Sequence, residues 1–323
     1  MIQTRVLSVN AGVQSLVADL KQRARELKVA ISTGAAGETV IDAGAAVPGS
    51  LEAGRIITEI CLGGYGSVVI GSSERLPRWP FALTVRSSNP VIACMGSQYA
   101  GWQLTNEPGE PDYFSMGSGP ARALAGKEAL FKDITYADQS DTATLVLEAG
   151  SPPPEALVRR IADDCDIAPE KLTIIFTPTQ SLAGSVQIVG RVVEVALHKA
   201  HELHFDMSQI VEGMGTAPLA PPHPDFLTAM GRTNDAVIYG GRVTLHVTGP
   251  ADAARALAER LPSSTSEDYG KPFKEIFSRY DGDFYKIDGM LFSPAAVQVV
   301  ALESGETFSA GAVNPDLIDA SFG

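Results

Sequence analysis

The segment SLAGSVQIVGRVVEVALHKAHE, Ser181 to Glu202, limits what this chain can fold into more than any other stretch. It is apolar almost throughout, yet it carries Gln187, Arg191, Glu194 and His198. As a strand it would send Arg191 and Glu194 to opposite faces, because their separation is odd. As a helix it makes them neighbours, about 300° apart around the axis. Its length after Pro178 also favours a helix, despite the many valines. At about 100° per residue, Gly184, Gln187, Arg191, Glu194, His198 and His201 share one arc of roughly 100°. The rest of the central circumference is apolar apart from Ser185. An ordinary surface helix has a narrow apolar stripe facing the core. Here a narrow polar stripe interrupts an apolar cylinder, so the spacing predicts a buried helix whose stripe opens onto something polar.

The charges on that stripe need a reason. An exposed helical pair at this spacing is worth only ~0.2–0.5 kcal/mol. Taking both ions out of water costs several kcal/mol each, and their attraction repays it poorly. A pair retained there is expected to line a cleft. Burial pushes a carboxylate's pKa up while an adjacent guanidinium pulls it down, which yields a tunable general base. Glu194 and Arg191 are therefore the candidate catalytic residues. Gln187, on the same stripe, is either a ligand-binding amide or one satisfied within the stripe.

The chain of 323 residues is long enough for a large core and suggests about two domains. A net charge of −13, with no clustered Lys and Arg, argues against a nucleic-acid groove and favours a cationic ligand. The N-terminus lacks the apolar region of a signal peptide, and no apolar run approaches the ~18 residues of a membrane span. Cys61, Cys94 and Cys165 form no C-x-x-C pair, which suits reduced thiols in cytoplasm. A cytoplasmic protein with no membrane association is expected.

Helix-period and strand-period segments alternate without a regular rhythm, so the expected class is α+β. Turn-rich stretches at Asn106–Asp112 and Pro262–Pro272 suggest lobes over 1–110 and 111–262, with 263–323 a C-terminal segment that returns to the first lobe. A short echo, AGVQSLV from Ala11 against AGSVQIV from Ala183, hints at an internal duplication. The stretch DAVIYGG is expected as a strand. GSGPARALAGKE departs from a phosphate loop at Ala121 and Glu128, and LGGYGSVVIG lacks the dinucleotide fingerprint. His198, His201 and His204 are better read as a solvated helix end than as metal ligands, since HELH is one residue short of the zinc spacing. No metal is expected.

Several uncommon blocks occur together and in order: DAGAAVPGSLEAGRIITEICLGGYGSV, RSSNPVIACMGSQYAGWQL, GSGPARALAGKEALF, PTQSLAGSVQIVGRVVEVALHK, GRTNDAVIYGG and DGDFYKIDGMLFSPAAV. Together they resemble the methenyltetrahydromethanopterin cyclohydrolase family across nearly the whole chain. The resemblance implies two related α+β lobes enclosing a pocket, a homotrimer, and a hydrolase that needs no metal or other cofactor. Its substrate would be a reduced pterin with a cationic methenyl bridge, opened by water to the 5-formyl product. Such enzymes serve one-carbon metabolism, in methanogenesis or formaldehyde oxidation. The family's Arg and Glu pair falls on Arg191 and Glu194.

Further binding candidates are weaker. Ser118 and Gly119 open a helix whose free N–H groups suit an anionic or carbonyl ligand group, or form a plain cap. Asn234 and Asp235 suit the pterin's amino face, or ordinary turn chemistry. Two other functions stay open at this point: a redox enzyme on the same pterin, and a non-catalytic pterin-binding protein.

Overall fold

A computed structural model describes residues 7–74, 76–106 and 112–323. Its strands are β1 (Ala30–Thr33), β2 (Thr39–Asp42), β3 (Ser67–Ser72), β4 (Phe81–Ser87), β5 (Trp102–Thr105), β6 (Phe114–Ser118), β7 (Ala143–Leu147), β8 (Leu172–Phe176), β9 (Ile210–Pro218), β10 (Arg242–Val247), β11 (Ala296–Ala301) and β12 (Thr307–Gly311). They form two mixed six-stranded sheets, β1-β2-β8-β7-β6-β5 and β12-β11-β10-β9-β4-β3. With the intervening helices this is an α+β fold, and two similar sheets agree with two similar lobes.

The sheets do not divide the chain into consecutive halves, because β3 and β4 join the later strands. Of the two turn-rich stretches, most of Asn106–Asp112 lies outside the described residues. The other, Pro262–Pro272, contains a 3-10 turn at Ser263–Thr265.

In the first sheet β2, β8 and β7 run parallel, and β6 turns antiparallel beside β7. The crossover from β7 to β8 is the helix Glu155–Asp164. Both β7 (ATLVL) and β8 (LTIIF) are buried at every residue, the continuous apolar pattern of strands covered on both faces.

The polar-striped segment departs from a single helix. It forms Leu182–Val189 and Val192–Glu202, separated at Gly190 and Arg191. The break has a packing cause. A Cβ on Gly190 would lie 2.4 Å from Thr58 Cγ2, so the helix Leu51–Cys61 presses directly on that turn. The Arg191 N–H then bonds the Ile188 carbonyl at 3.0 Å, a three-residue tightening that re-aims the guanidinium. Ser181 caps the first helix, its hydroxyl accepting the Gly184 N–H at 2.9 Å.

These helices join the two sheets. Ala183 packs in the apolar cluster holding Ile41, Val146 and Ile175 of the first sheet. Val186, Val189, Val192 and Val193 pack in the cluster holding Val85, Leu245 and Val299 of the second. Close approach depends on Gly54, whose added Cβ would meet Val186 Cβ at 2.6 Å and the Ala183 carbonyl at 2.8 Å. Gly54→Ala is expected to destabilise the protein by about 1–3 kcal/mol, as overpacking does, read as a lower denaturant midpoint.

Other local expectations are corrected. DAVIYGG is not a strand: its first residues complete the helix Phe226–Ile238, capped by Asp225 accepting the Thr228 N–H at 3.0 Å. A short apolar run is ambiguous by period alone, and the distant cap decides it. The N-terminal helical stretch breaks at Arg23, giving Gln14–Gln22 and Ala24–Leu27. The segment VIACMGSQ forms a π-helix, Val91–Gln98, which its sequence pattern does not announce.

Candidate active site

Three pieces of chain meet at the break between the central helices: Arg191 itself, the end of the π-helix, and the end of β6. Arg191 Nη1 donates to Glu194 Oε2 at 2.9 Å and to the Gln98 carbonyl at 2.8 Å, while Nη2 donates to Ser118 Oγ at 2.9 Å. Ser118 Oγ donates in turn to the Gln98 carbonyl at 2.6 Å. The guanidinium is therefore held in one plane by three acceptors. Its side chain is 15% exposed and that of Glu194 4%, so the pair meets solvent through a small window. Burial alone would lower the Arg191 pKa, but Glu194, then Cys61 and Glu148, outweigh it and the net shift is upward.

Why Gln98 offers its carbonyl is a property of the π-helix. Wide i→i+5 turns leave backbone groups out of the regular ladder and recur at functional sites. Arg122, fully buried, braces this end: Nη1 donates to the Met95 and Ser97 carbonyls at 3.2 and 2.9 Å. Its other nitrogens form a fork with Glu128, at 2.8 and 2.6 Å. Cys61 and Cys94 are buried beside the pair, and burial pushes both thiols up, so they stay protonated.

The C-terminal half of the stripe borders a cavity of about 820 Å³ whose lining includes Tyr99, Trp102, Lys127, His198 and His201. Tyr99 links it to the pair: its ring stacks on His198 at 4.8 Å, and burial, then the charge on Glu194, pushes its phenol up to about 12. His201 faces Asp133 at 3.2 Å. Among the described residues no group of three or more His, Cys, Asp or Glu is arranged to hold a metal ion.

Of the residues singled out in the sequence, the structure brings Arg191, Glu194 and Ser118 together. Gln187 is buried one turn earlier on the same segment. Ser118 ends β6 and orients Arg191, rather than opening a long helix, because the helix that follows is only Ala121–Ala125. The Gly119 N–H is already used by the Ser97 carbonyl at 2.9 Å. Asn234 and Asp235 lie within the helix Phe226–Ile238. Asn234 Nδ2 donates to the Met230 carbonyl at 2.9 Å, and Asp235 Oδ1 accepts the Phe273 N–H at 2.9 Å. Gln98 and Glu148 carried no signal in the periodicity, although Gln98 falls in one of the resemblance blocks.

In this two-sheet α+β protein the clamped Arg–Glu pair presents a carboxylate, a group able to accept a proton, at a small solvent window. The family model described as Cyclohydrolase (MCH) matches residues 8–322, and the chain belongs to that family. It is similar to proteins named methenyltetrahydromethanopterin cyclohydrolase. The one from Methylobacterium organophilum is 54% identical over 315 residues, covering 98% of this chain and 97% of that protein. The one from Methylosinus trichosporium is 61% identical over 264 residues, 82% of this chain and 100% of that protein. The likeness extends to Methanothermobacter marburgensis, at 44% over 324 residues, 98% of this chain and 100% of that protein.

Proposed function

We propose that this enzyme hydrolyses the cationic methenyl bridge of 5,10-methenyltetrahydromethanopterin to the 5-formyl compound, as a step of one-carbon metabolism. Family membership and the names of its relatives support the reaction. The observation that carries the residue assignment is Arg191 fixed by three acceptors with Glu194 as one of them.

Water adds to the bridge carbon while Glu194 takes one of its protons. The neutral carbinolamine then opens: the bond from carbon to N10 breaks, N10 takes up a proton and the hydroxyl gives one up. A formyl group remains on N5, and one proton is released overall. Arg191 keeps the Glu194 carboxylate ionised and oriented, which is positioning in the sense that sets effective molarity. The electrophile already carries a positive charge, so the chemistry needs no Lewis acid. Activity is expected to survive exhaustive chelation. Loss with EDTA and recovery with zinc would reverse that reading. The direct test is absorbance of the methenyl pterin with purified protein and no redox cofactor: decay of the chromophore supports hydrolysis, and a static spectrum opposes it.

The same reading extends to a cytoplasmic homotrimer. No helix among the described residues is long and apolar enough to cross a membrane. Free Cys61, Cys94 and Cys165 support a reducing compartment. The resemblance supports the trimer, and Val69 and Met214, 58% and 47% exposed on one face of the second sheet, support a contact between copies there. Sedimentation of the purified chain tests the oligomer.

A further inference from the structure

The parallel strands β2, β8 and β7 end together, and the direction switches where β6 lies antiparallel to β7. The crevice beyond the carboxyl ends of strands at such a switch is where open sheets hold ligands. Two carboxylates stand at these ends, and they are differently occupied. Asp42, closing β2, accepts three backbone N–H groups, from Gly44, Ala45 and Ala46 at 2.9, 2.7 and 2.7 Å. It is spent on its own turn. Glu148, directly after β7, accepts one neutral hydroxyl, that of buried Thr179. It makes no ion pair among the described residues.

Glu148 is also close to the pair already described. Ser118, which holds Arg191, is the register partner of Val146, two residues before Glu148. Thr179 lies two residues before Ser181, the cap of the helix leading to Arg191. Glu148 is exposed at the end of β7. Protein atoms crowded around its carboxyl displace part of its hydration and push its pKa up, and Thr179 and Arg191 pull it partly back.

We propose that Glu148 is the counter-ion of the substrate's cationic amidinium bridge, resting on the function assigned above. The charge count makes the case. Arg191 and Glu194 cancel each other, so a bound methenyl cation would leave the cleft with one unbalanced positive charge. Glu148 supplies the missing negative charge at the strand ends that adjoin the pair. After hydrolysis the formyl product is neutral, and the same carboxylate no longer has a partner in it. Glu148 thus discriminates substrate from product by charge, and favours release of the product.

The test compares two ligands on the full-length protein: the methenyl pterin as substrate and the 5-formyl pterin as inhibitor. Glu148→Gln preserves shape and removes the charge. KM for the cation is expected to rise by roughly 10–100-fold, the scale of a charge pair about 6–12 Å apart near a protein surface, with the formyl inhibition constant unchanged. Glu148→Asp, which keeps the charge, should recover part of the loss. Equal weakening of both ligands, an unchanged KM, or a fall confined to kcat would each overturn the counter-ion role. If the Gln variant does not fold, Glu148→Asp and Thr179→Val, which displace the carboxylate, carry the same comparison. Failure of the unaltered protein to open the methenyl bridge would instead overturn the assigned function.

Discussion

Glu194→Gln is expected to cut turnover by about 10²–10⁴-fold, the usual contribution of a general base. The amide retains the shape of the side chain and leaves an oxygen for the Arg191 bond, now 2.9 Å long. Only the capacity to take the proton from water is removed. Binding of the cationic bridge should weaken less than turnover falls, because the pterin's other contacts are untouched. Arg191→Lys should also be damaging. One ammonium cannot reproduce the planar fork that reaches Glu194, the Gln98 carbonyl and Ser118 together. Under the proposed mechanism the two residues act as a unit, so the double variant should lose less free energy than the two single losses summed. Single-turnover absorbance of the methenyl pterin measures all three. Near-normal turnover in Glu194→Gln would return the pair to a structural role.

Arg122→Met is expected to cost about 3–5 kcal/mol of folding stability, because removing one partner strands the other buried charge. The guanidinium is fully buried, and Glu128, its partner, is 12% exposed. The variant leaves that carboxylate without its fork and the Met95 and Ser97 carbonyls without a donor. It also removes the cation seated 5.2 Å from the Tyr99 ring and 5.3 Å from that of Phe131. Methionine replaces the apolar volume but none of these bonds. Urea unfolding gives the stability change directly. Arg122→Lys keeps the charge and should fall between the two. A loss under about 1 kcal/mol, the worth of a single ordinary hydrogen bond, would mean the π-helix holds its shape without this brace.

The polar stripe was legible because it breaks the rule that buried helices exclude charge, and Arg191 and Glu194 are only three residues apart. Their environment was not. Ser118 orients Arg191 from 73 residues away and bonds Gln98 across 20 residues, so its role depends on strand pairing that no local pattern encodes. The break at Gly190 was hidden for the same reason: Thr58, which forbids a side chain there, belongs to another helix. Glu148 reads in sequence as the polar end of an apolar strand. Only the register of β6 against β7 brings it near Ser118. The α+β class survived these misses because it rests on many segments, and turning DAVIYGG from strand to helix changes one of them. The Gly-rich and turn-like stretches misled most, since Gly and Asn mark close approaches and caps as readily as loops.

The broken helical segment that carries Arg191 and Glu194 has Ala183 in one hydrophobic cluster and Val186 onward in the other. Most paired lobes meet across an interface that can slip, which gives their clefts an independent hinge. Here the spindle between the lobes is itself core to each. Trimming either sheet, or loosening it with protease, is therefore expected to unseat Arg191. On heating, activity and tertiary packing should be lost in one transition, with no early stage in which the site melts ahead of the body.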